Sequence, residues 1–391
     1  MTRMDLGLYL FVIWESARIK ENFLLEELKK KFVIRDIYEI KWNKTNFSNN
    51  IRRFYGPKLG DSSKKTADCG VGPFLLVLIS DPHSKFAKRR TSNGMELVNI
   101  NIYDNKKIYR KLTGKGYAIH SSITDKETND DLTLLLGKNT QDLSKEISEK
   151  WDGSIKKLDS DLIGQNGWKD LKQLLYVLNS TMNYVILRNF EDLPDKFFTY
   201  EHNDIDILTD DFMRIPYITN GGKSPFNDIF SPLVKIGNRT IPIDFEYPGD
   251  NNYDEKWSKD VLKRRILYNG FYVPCKEDYF YTLFYHAVFH QKKISDEYKK
   301  KLSKLATELG VNEITQKTFD DLTKSKEFLE KYMARMGYLH TNSTQYKIRH
   351  NKFSRLVKVA VYLWRTQGTK FLLTAVKGKI KRTISKPTAM K

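Results

Sequence analysis

The sequence predicts an α+β protein with more than one domain. Strand and helix patterns alternate through the first 137 residues and again between residues 168 and 245, and only helical periodicity follows residue 257. At 391 residues the chain is also long enough for two or three domains, each with its own core.

Taken in order, residues 8–14 are almost wholly apolar and predict a buried strand. Residues 22–31 predict an amphipathic helix with Phe23, Leu24, Leu25 and Leu28 on or near one side. Residues 33–42 read as a second strand and residues 46–55 as a short helix. Residues 73–79 are apolar throughout, between Gly72 and Asp81-Pro82, and predict a fully buried strand. Residues 106–112 read as helical, and residues 125–136 as an amphipathic helix after a turn at Ser121-Ser122. This β-α-β-α-β order in a compact unit predicts a ferredoxin-like α/β sandwich over residues 1–137, an antiparallel sheet with helices on one side.

Residues 138–164 are polar and read as a linker. A helix over residues 168–181 then leads to a strand at 184–187. Residues 233–236 and 240–245 read as a hairpin around Gly237-Asn238, which puts Asp244 on a central strand. Helical segments follow at 257–267, 276–290, 295–309 and 319–336. The expected organisation is a mixed-sheet domain over residues 165–275, a helical subdomain over 276–345 and a basic tail over 346–391.

Charge is unevenly distributed. Of 67 Lys and Arg, 15 fall after Glu330, where there is no Asp or Glu; the rest of the chain carries 52 basic and 48 acidic residues. The body is nearly neutral and the tail is the basic element, whereas a protein dedicated to nucleic acid more often spreads its charge over a folded face. Two cysteines, Cys69 and Cys275, are too few for a disulfide framework and favour a reducing compartment. The apolar run at residues 6–14 is about half the length a membrane span needs, and Glu15, Arg18 and Lys20 follow without a small-residue cleavage site. Neither a span nor a signal peptide is expected.

The most informative motif is His202-Asn203-Asp204-Ile205-Asp206-Ile207-Leu208. A strand's period of two puts Asp204 and Asp206 on one face and turns Ile205 and Ile207 to the core. Asp244, in Ile241-Pro242-Ile243-Asp244-Phe245-Glu246, supplies a third carboxylate in a similar frame. Three such oxygens suit Mg²⁺ (or Mn²⁺), which takes few protein ligands and fills its shell with phosphate oxygens. Glu246 shares the face of Asp244, as a further ligand, a base or an ion-pair partner. Phosphoryl or nucleotidyl chemistry is the expectation.

A strand, a turn, an Asp-x-Asp strand and a lone acid on a later strand together resemble the nucleotidyltransferase superfamily over about residues 165–300. Tyr184-Val185-Ile186-Leu187-Arg188-Asn189-Phe190, followed by Asn203-Asp204-Ile205-Asp206-Ile207-Leu208, is most similar to the divergent branch associated with polysaccharide assembly, which includes the LicD/fukutin type. That resemblance implies transfer of a phosphorylated alcohol or sugar from a nucleotide-activated donor to a glycan. The usual Gly-Ser or Gly-Gly after the first strand is here Arg188-Asn189. An Arg holds a phosphate bidentately, so Arg188 and Asn189 are the expected donor-binding residues, with Glu246 beside them.

More faintly, about residues 7–137 resemble nucleoside diphosphate kinase. Tyr117-Ala118-Ile119-His120-Ser121-Ser122 and the acidic helix after it stand where that family has its phosphorylated His and closing helix. Residues 72–77 match the strand, residues 107–114 the arginine-bearing helix and Phe54-Tyr55 a pair of aromatics. The family's Lys-Pro-Asp is here Trp14-Glu15-Ser16, which removes a nucleotide-phosphate contact. The resemblance implies the fold; His120 is read as a structural histidine at a turn, with a phosphohistidine as the alternative.

Other constellations read as structural. His286 and His290 are spaced i, i+4 without the Glu of the His-Glu-x-x-His motif, and Tyr279, Phe280, Tyr281, Phe284 and Tyr285 surround them, so a packed aromatic helix is expected rather than zinc. Asp250, Asp254 and Asp260 read as solvated charge, and Lys263, Arg264 and Arg265 as wet helix surface. In the tail, Phe353, Leu356, Val357, Ala360 and Trp364 form an apolar helical stripe, and Lys377, Lys379, Lys381 and Arg382 follow. That combination fits a helix lying in an anionic membrane surface, with nucleic acid as the other partner. The expectation is a Mg²⁺-dependent phosphotransferase, cytoplasmic and peripheral at the inner membrane face, acting on a glycan or lipid-linked glycan. The alternatives are a nucleotidyltransferase that adds NMP to a sugar phosphate, protein or RNA, and a non-catalytic nucleic-acid-binding scaffold.

Overall fold

The computed structural model describes residues 7–59, 62–92, 94–195, 204–222 and 232–341. The chain divides into two compact units between Asn166 and Gly167. It is a mixed α+β protein with several sheets and a helical region after the second main sheet.

In the first unit, β1 (Leu8–Ile13) and α1 (Glu21–Lys31) are followed by β2 (Val33–Ile40). α1 buries Leu24, Leu25 and Leu28, while Phe23, expected near the same side, is exposed. α2 (Phe47–Tyr55) and α3 (Ser62–Cys69) precede β3 (Phe74–Ser80), which is buried at every position, as its unbroken apolar run predicts. A ribbon of β4 (Phe86–Thr91) and β5 (Gly94–Asn99) follows, which the sequence reading missed because β4 is a basic run without apolar alternation. α4 (Ile100–Thr113) begins where Asn99 Oδ1 accepts from the amides of Asn101 and Ile102 at 3.0 and 3.3 Å. It leads to β6 (Ile119–Ser121) and α5 (Asp125–Leu136), which is capped by Thr124 and stops at the left-handed Gly137.

The sheet runs β6-β1-β3-β2, antiparallel at every step. The polar stretch read as a linker differs from expectation. It holds α6 (Thr140–Glu146) and β7 (Lys156–Leu158), and β7 joins the sheet parallel to β2 with Lys156 opposite Tyr38. Lys156 also pairs with the buried Asp36 at 2.5 Å. Polar residues serve here because an edge strand faces solvent on its outer side.

In the second unit, α7 (Leu171–Thr181) is capped by Asp170 and buries Leu171, Leu174, Leu175 and Leu178. β8 (Tyr184–Ile186), β9 (Ile205–Thr209), the single turn α8 (Ile215–Ile218), β10 (Leu233–Ile236) and β11 (Arg239–Glu246) follow. The sheet order is β10-β11-β9-β8. The β10–β11 hairpin turns at Gly237-Asn238 as expected, with Gly237 at φ +56°. β11 lies parallel to β9, and β8 antiparallel to it.

Beyond this sheet come α9 (Glu255–Lys263), the small hairpin β12 (Ile266–Tyr268) with β13 (Phe271–Val273), and α10 (Lys276–Tyr285). α10 passes into one π-helical turn, His286–Gln291. α11 (Asp296–Leu309), α12 (Gln316–Asp320) and α13 (Leu322–Met336) complete the unit. The helix expected over residues 319–336 is broken because the Asp321 carboxylate accepts from Thr323 N at 2.9 Å and starts α13 anew. None of the described helices is long and apolar enough to cross a membrane. The tail over residues 346–391, with its apolar stripe and polybasic flank, lies outside the described residues.

Candidate metal centre

The parallel pairing of β9 with β11 brings the three acids together. Asp206 stands directly opposite Asp244 in the register, and Asp204 precedes Asp206 by two residues. The apolar neighbours Ile205, Ile207, Ile243 and Phe245 are buried. That alternation fixes which face the acids occupy, because a slip of one residue would put carboxylates into the core. The carboxylates of Asp204, Asp206 and Asp244 each offer an oxygen within 4.8 Å of the others. Oxygens that share one octahedral ion at about 2.1 Å lie roughly 3–4.2 Å apart, so the set fits a small divalent cation after slight closure.

Arg188 completes the arrangement. It follows β8, whose pairing with β9 continues through Leu187 N to Asp206 O at 2.9 Å. Its Nη2 donates to Asp206 Oδ1 at 2.5 Å and lies 3.7 Å from Glu246 Oε1. Burial opposes the Arg188 charge, but Asp206 and Glu246 outweigh it and hold the guanidinium above its usual range. Burial raises the Asp206 carboxyl to about 7, against the pull of Arg188 and with the help of Asp204, Glu246 and Asp244. A buried acid crowded by three others thus holds its proton to higher pH than a free carboxyl does, and a bound cation would favour its charged form. Asn189 adopts φ +56°, a left-handed conformation that Asn tolerates better than most residues. Lys301 Nζ donates to Asn189 Oδ1 at 3.3 Å.

Sequence reasoning missed two tyrosines close to Asp206. Tyr253 and Tyr298 are buried, and both hydroxyls are raised, first by burial and also by the nearby Asp206. The signal available was the aromatic density around residues 279–298, read only as packing. His286 and His290 sit in the π-helical turn rather than on a regular helix face. Their Nδ1 atoms are 3.2 Å apart, and His290 Nε2 is 3.0 Å from Asn252 O. Ring nitrogens committed to neighbours in this way form part of the aromatic packing.

Three expectations of solvated charge are corrected. Asp250 is buried and accepts from Tyr247 N at 3.2 Å and Asn252 N at 2.8 Å, so it builds the turn after β11. Asp254 caps α9 through Trp257 N at 3.0 Å, and Asp260 accepts from Tyr338 Oη at 3.0 Å. Arg264 is not wet surface either, since it grips the buried Asp278 through two nitrogens at 2.9 and 2.6 Å. Arg265 lies over the Tyr272 ring at 3.9 Å. Lys263 and Arg265 border an open cleft of about 660 Å³ beside Asn183, Asp210 and Tyr247. This cleft lies toward the Asp210 end of β9 and contains none of the acids. The chemistry points to Asp204, Asp206 and Asp244, because their carboxylates converge on one place while the cleft's lining does not include them.

In the first unit, His120 on β6 is buried, with Nε2 2.7 Å from Asp131 Oδ2. Phe54 and Tyr55 pack edgewise on its ring. Burial, then Lys106, Lys65 and Arg110, hold the imidazole well below its usual range and so neutral. Burial likewise lowers Lys65 to about 7. His120, Glu127 and Asp131 also offer ligand atoms within 4.8 Å of one another, but three neighbouring cationic side chains oppose a metal there. Trp14 is fully buried against Phe54, Phe74 and Trp42, and Glu15 Oε2 accepts from Gly72 N at 2.7 Å.

No family model, curated protein or solved structure matches this chain.

Proposed function

We propose that the protein is a Mg²⁺-dependent phosphotransferase of the nucleotidyltransferase superfamily, in its polysaccharide-assembly branch. One observation carries this reading: two hydrogen-bonded parallel strands bring Asp204, Asp206 and Asp244 within reach of a single ion, beside a largely buried arginine whose side chain is 10% exposed. The antiparallel order β6-β1-β3-β2 supports the ferredoxin-like reading of the first unit.

In this reading Asp204, Asp206 and Asp244 would hold the cation, which would supply positive charge against the donor pyrophosphate. Arg188 and Asn189 bind donor phosphate, and Glu246 keeps Arg188 in place when it turns from Asp206 to the substrate. Asp244 takes the proton of the acceptor hydroxyl. The acceptor oxygen bonds to the distal phosphorus, the phosphoanhydride bond breaks, and NMP leaves with the bonding pair. The substrates are a nucleotide-activated alcohol or sugar and a glycan or lipid-linked glycan, at the cytoplasmic face of an anionic membrane held through residues 346–391.

The test is Mn²⁺ titration of the full chain, followed by incubation with CDP-, UDP- and GDP-linked compounds. Saturable Mn²⁺ binding that is lost in Asp206→Asn, and release of NMP with an acceptor, are expected. Release of pyrophosphate from a nucleoside triphosphate would instead identify a nucleotidyltransferase. Absence of Mn²⁺ binding would end the catalytic reading.

A further inference from the structure

The β4–β5 ribbon stands outside the five-stranded sheet and presents two unlike faces. Residues directly opposite each other in an antiparallel pair share a face. Lys88 is opposite Leu97, and Arg90 is opposite Met95. With Phe86, two positions before Lys88, these residues make one outward face. Phe86 is 52% exposed, Met95 66% and Leu97 61%. On the other face, Val98 joins the buried core of the unit. The ribbon is held in place, because Tyr103 Oη of α4 donates to Arg90 O at 3.0 Å and Asn99 caps that helix. Between residues 85 and 97, Lys85, Lys88, Arg89 and Arg90 stand against one acid, Glu96.

Three large apolar side chains interleaved with cations on a held surface call for a partner that is both anionic and apolar. A nucleic-acid backbone would satisfy Lys88 and Arg90 but leave Phe86, Met95 and Leu97 in water. A protein strand added to the ribbon would use its backbone edge and not this face. A lipid surface satisfies both sets, with headgroup phosphates at the cations and the acyl boundary at the apolar tips. We propose that the outward face of β4–β5 is a docking surface for anionic lipid, with Phe86, Met95 and Leu97 entering the headgroup boundary and Lys88 and Arg90 meeting phosphate. This is a second membrane contact, on a folded part of the protein, and it does not depend on the transfer chemistry proposed above.

The test uses the full chain and vesicles of phosphatidylcholine, with or without phosphatidylglycerol, in a sedimentation assay. The tail is common to all variants and drops out of their ratios. Lys88→Gln/Arg90→Gln should weaken binding to anionic vesicles about 25-fold, at roughly fivefold per cation. Met95→Ser/Leu97→Ser should weaken it roughly tenfold or more. An environment-sensitive label on Leu97→Cys, above the background of labelled parent protein, should shift to the blue on anionic vesicles. That readout needs no loss of function and survives poor folding of either double variant. Parent-like binding by both double variants, or no shift of the label, would overturn the proposal. A label that shifts with single-stranded RNA and not with vesicles would overturn it in favour of nucleic acid.

Discussion

The sharpest consequence of the acidic site concerns Asp206→Asn in metal-free protein. The Asp206 carboxyl is raised from 3.8 to about 7, first by burial. The folded state therefore keeps a proton that the unfolded chain releases, and the associated stability is present below pH 4 and lost as pH rises toward 7. A shift of about three units corresponds to about 4 kcal/mol. Asn cannot ionise, and its side-chain oxygen still accepts from Arg188, so the variant lacks this slope. In urea unfolding with EDTA, the stability of Asp206→Asn relative to the parent should rise by up to about 4 kcal/mol between roughly pH 4 and pH 8. Mn²⁺ should reverse the order at pH 8 by stabilising the parent alone, and parent Mn²⁺ affinity should fall about tenfold per unit below pH 7. A difference between the two proteins that is flat with pH, or that slopes the other way, would refute the reasoning.

Arg188→Ala leaves buried acids without their cation and should cost metal-free protein about 3 kcal/mol at pH 8 by urea unfolding. It should also raise KM for the nucleotide-linked donor. His120 should not become phosphorylated by ATP, since its ring is engaged by Asp131 and Trp14-Glu15 offers no phosphate contact; acid-labile label lost in His120→Ala would contradict this. Deleting residues 353–391 removes no proposed metal ligand and should leave the protein folded and active on a soluble acceptor, with weaker, salt-sensitive vesicle binding. Unfolding of that truncation, or a full chain that ignores anionic vesicles and binds RNA with a steep salt dependence, would remove the membrane role of the tail.

The acidic motif was legible because strand alternation is a local property. Ile205 and Ile207 around Asp206, and Ile243 and Phe245 around Asp244, assign faces without knowledge of the partner strand. The buried run at residues 74–80, the Gly237-Asn238 turn and the helix over residues 125–136 were legible for the same reason. The β4–β5 ribbon and β7 were not, because β4 is a basic run without apolar alternation and β7 is a three-residue polar edge strand.

By itself, the sequence determined which residues alternate, which segments must be buried, and that Asp204 and Asp206 share a face. Tertiary structure alone decided that Asp244 lies opposite Asp206, that Arg188 reaches both Asp206 and Glu246, and that Asp250 and Arg264 are committed to buried partners. Periodicity specifies the direction of a side chain relative to its own strand or helix. Which groups meet depends on strand register across long separations, and so do the burial and mutual repulsion that raise the Asp206 carboxyl to about 7.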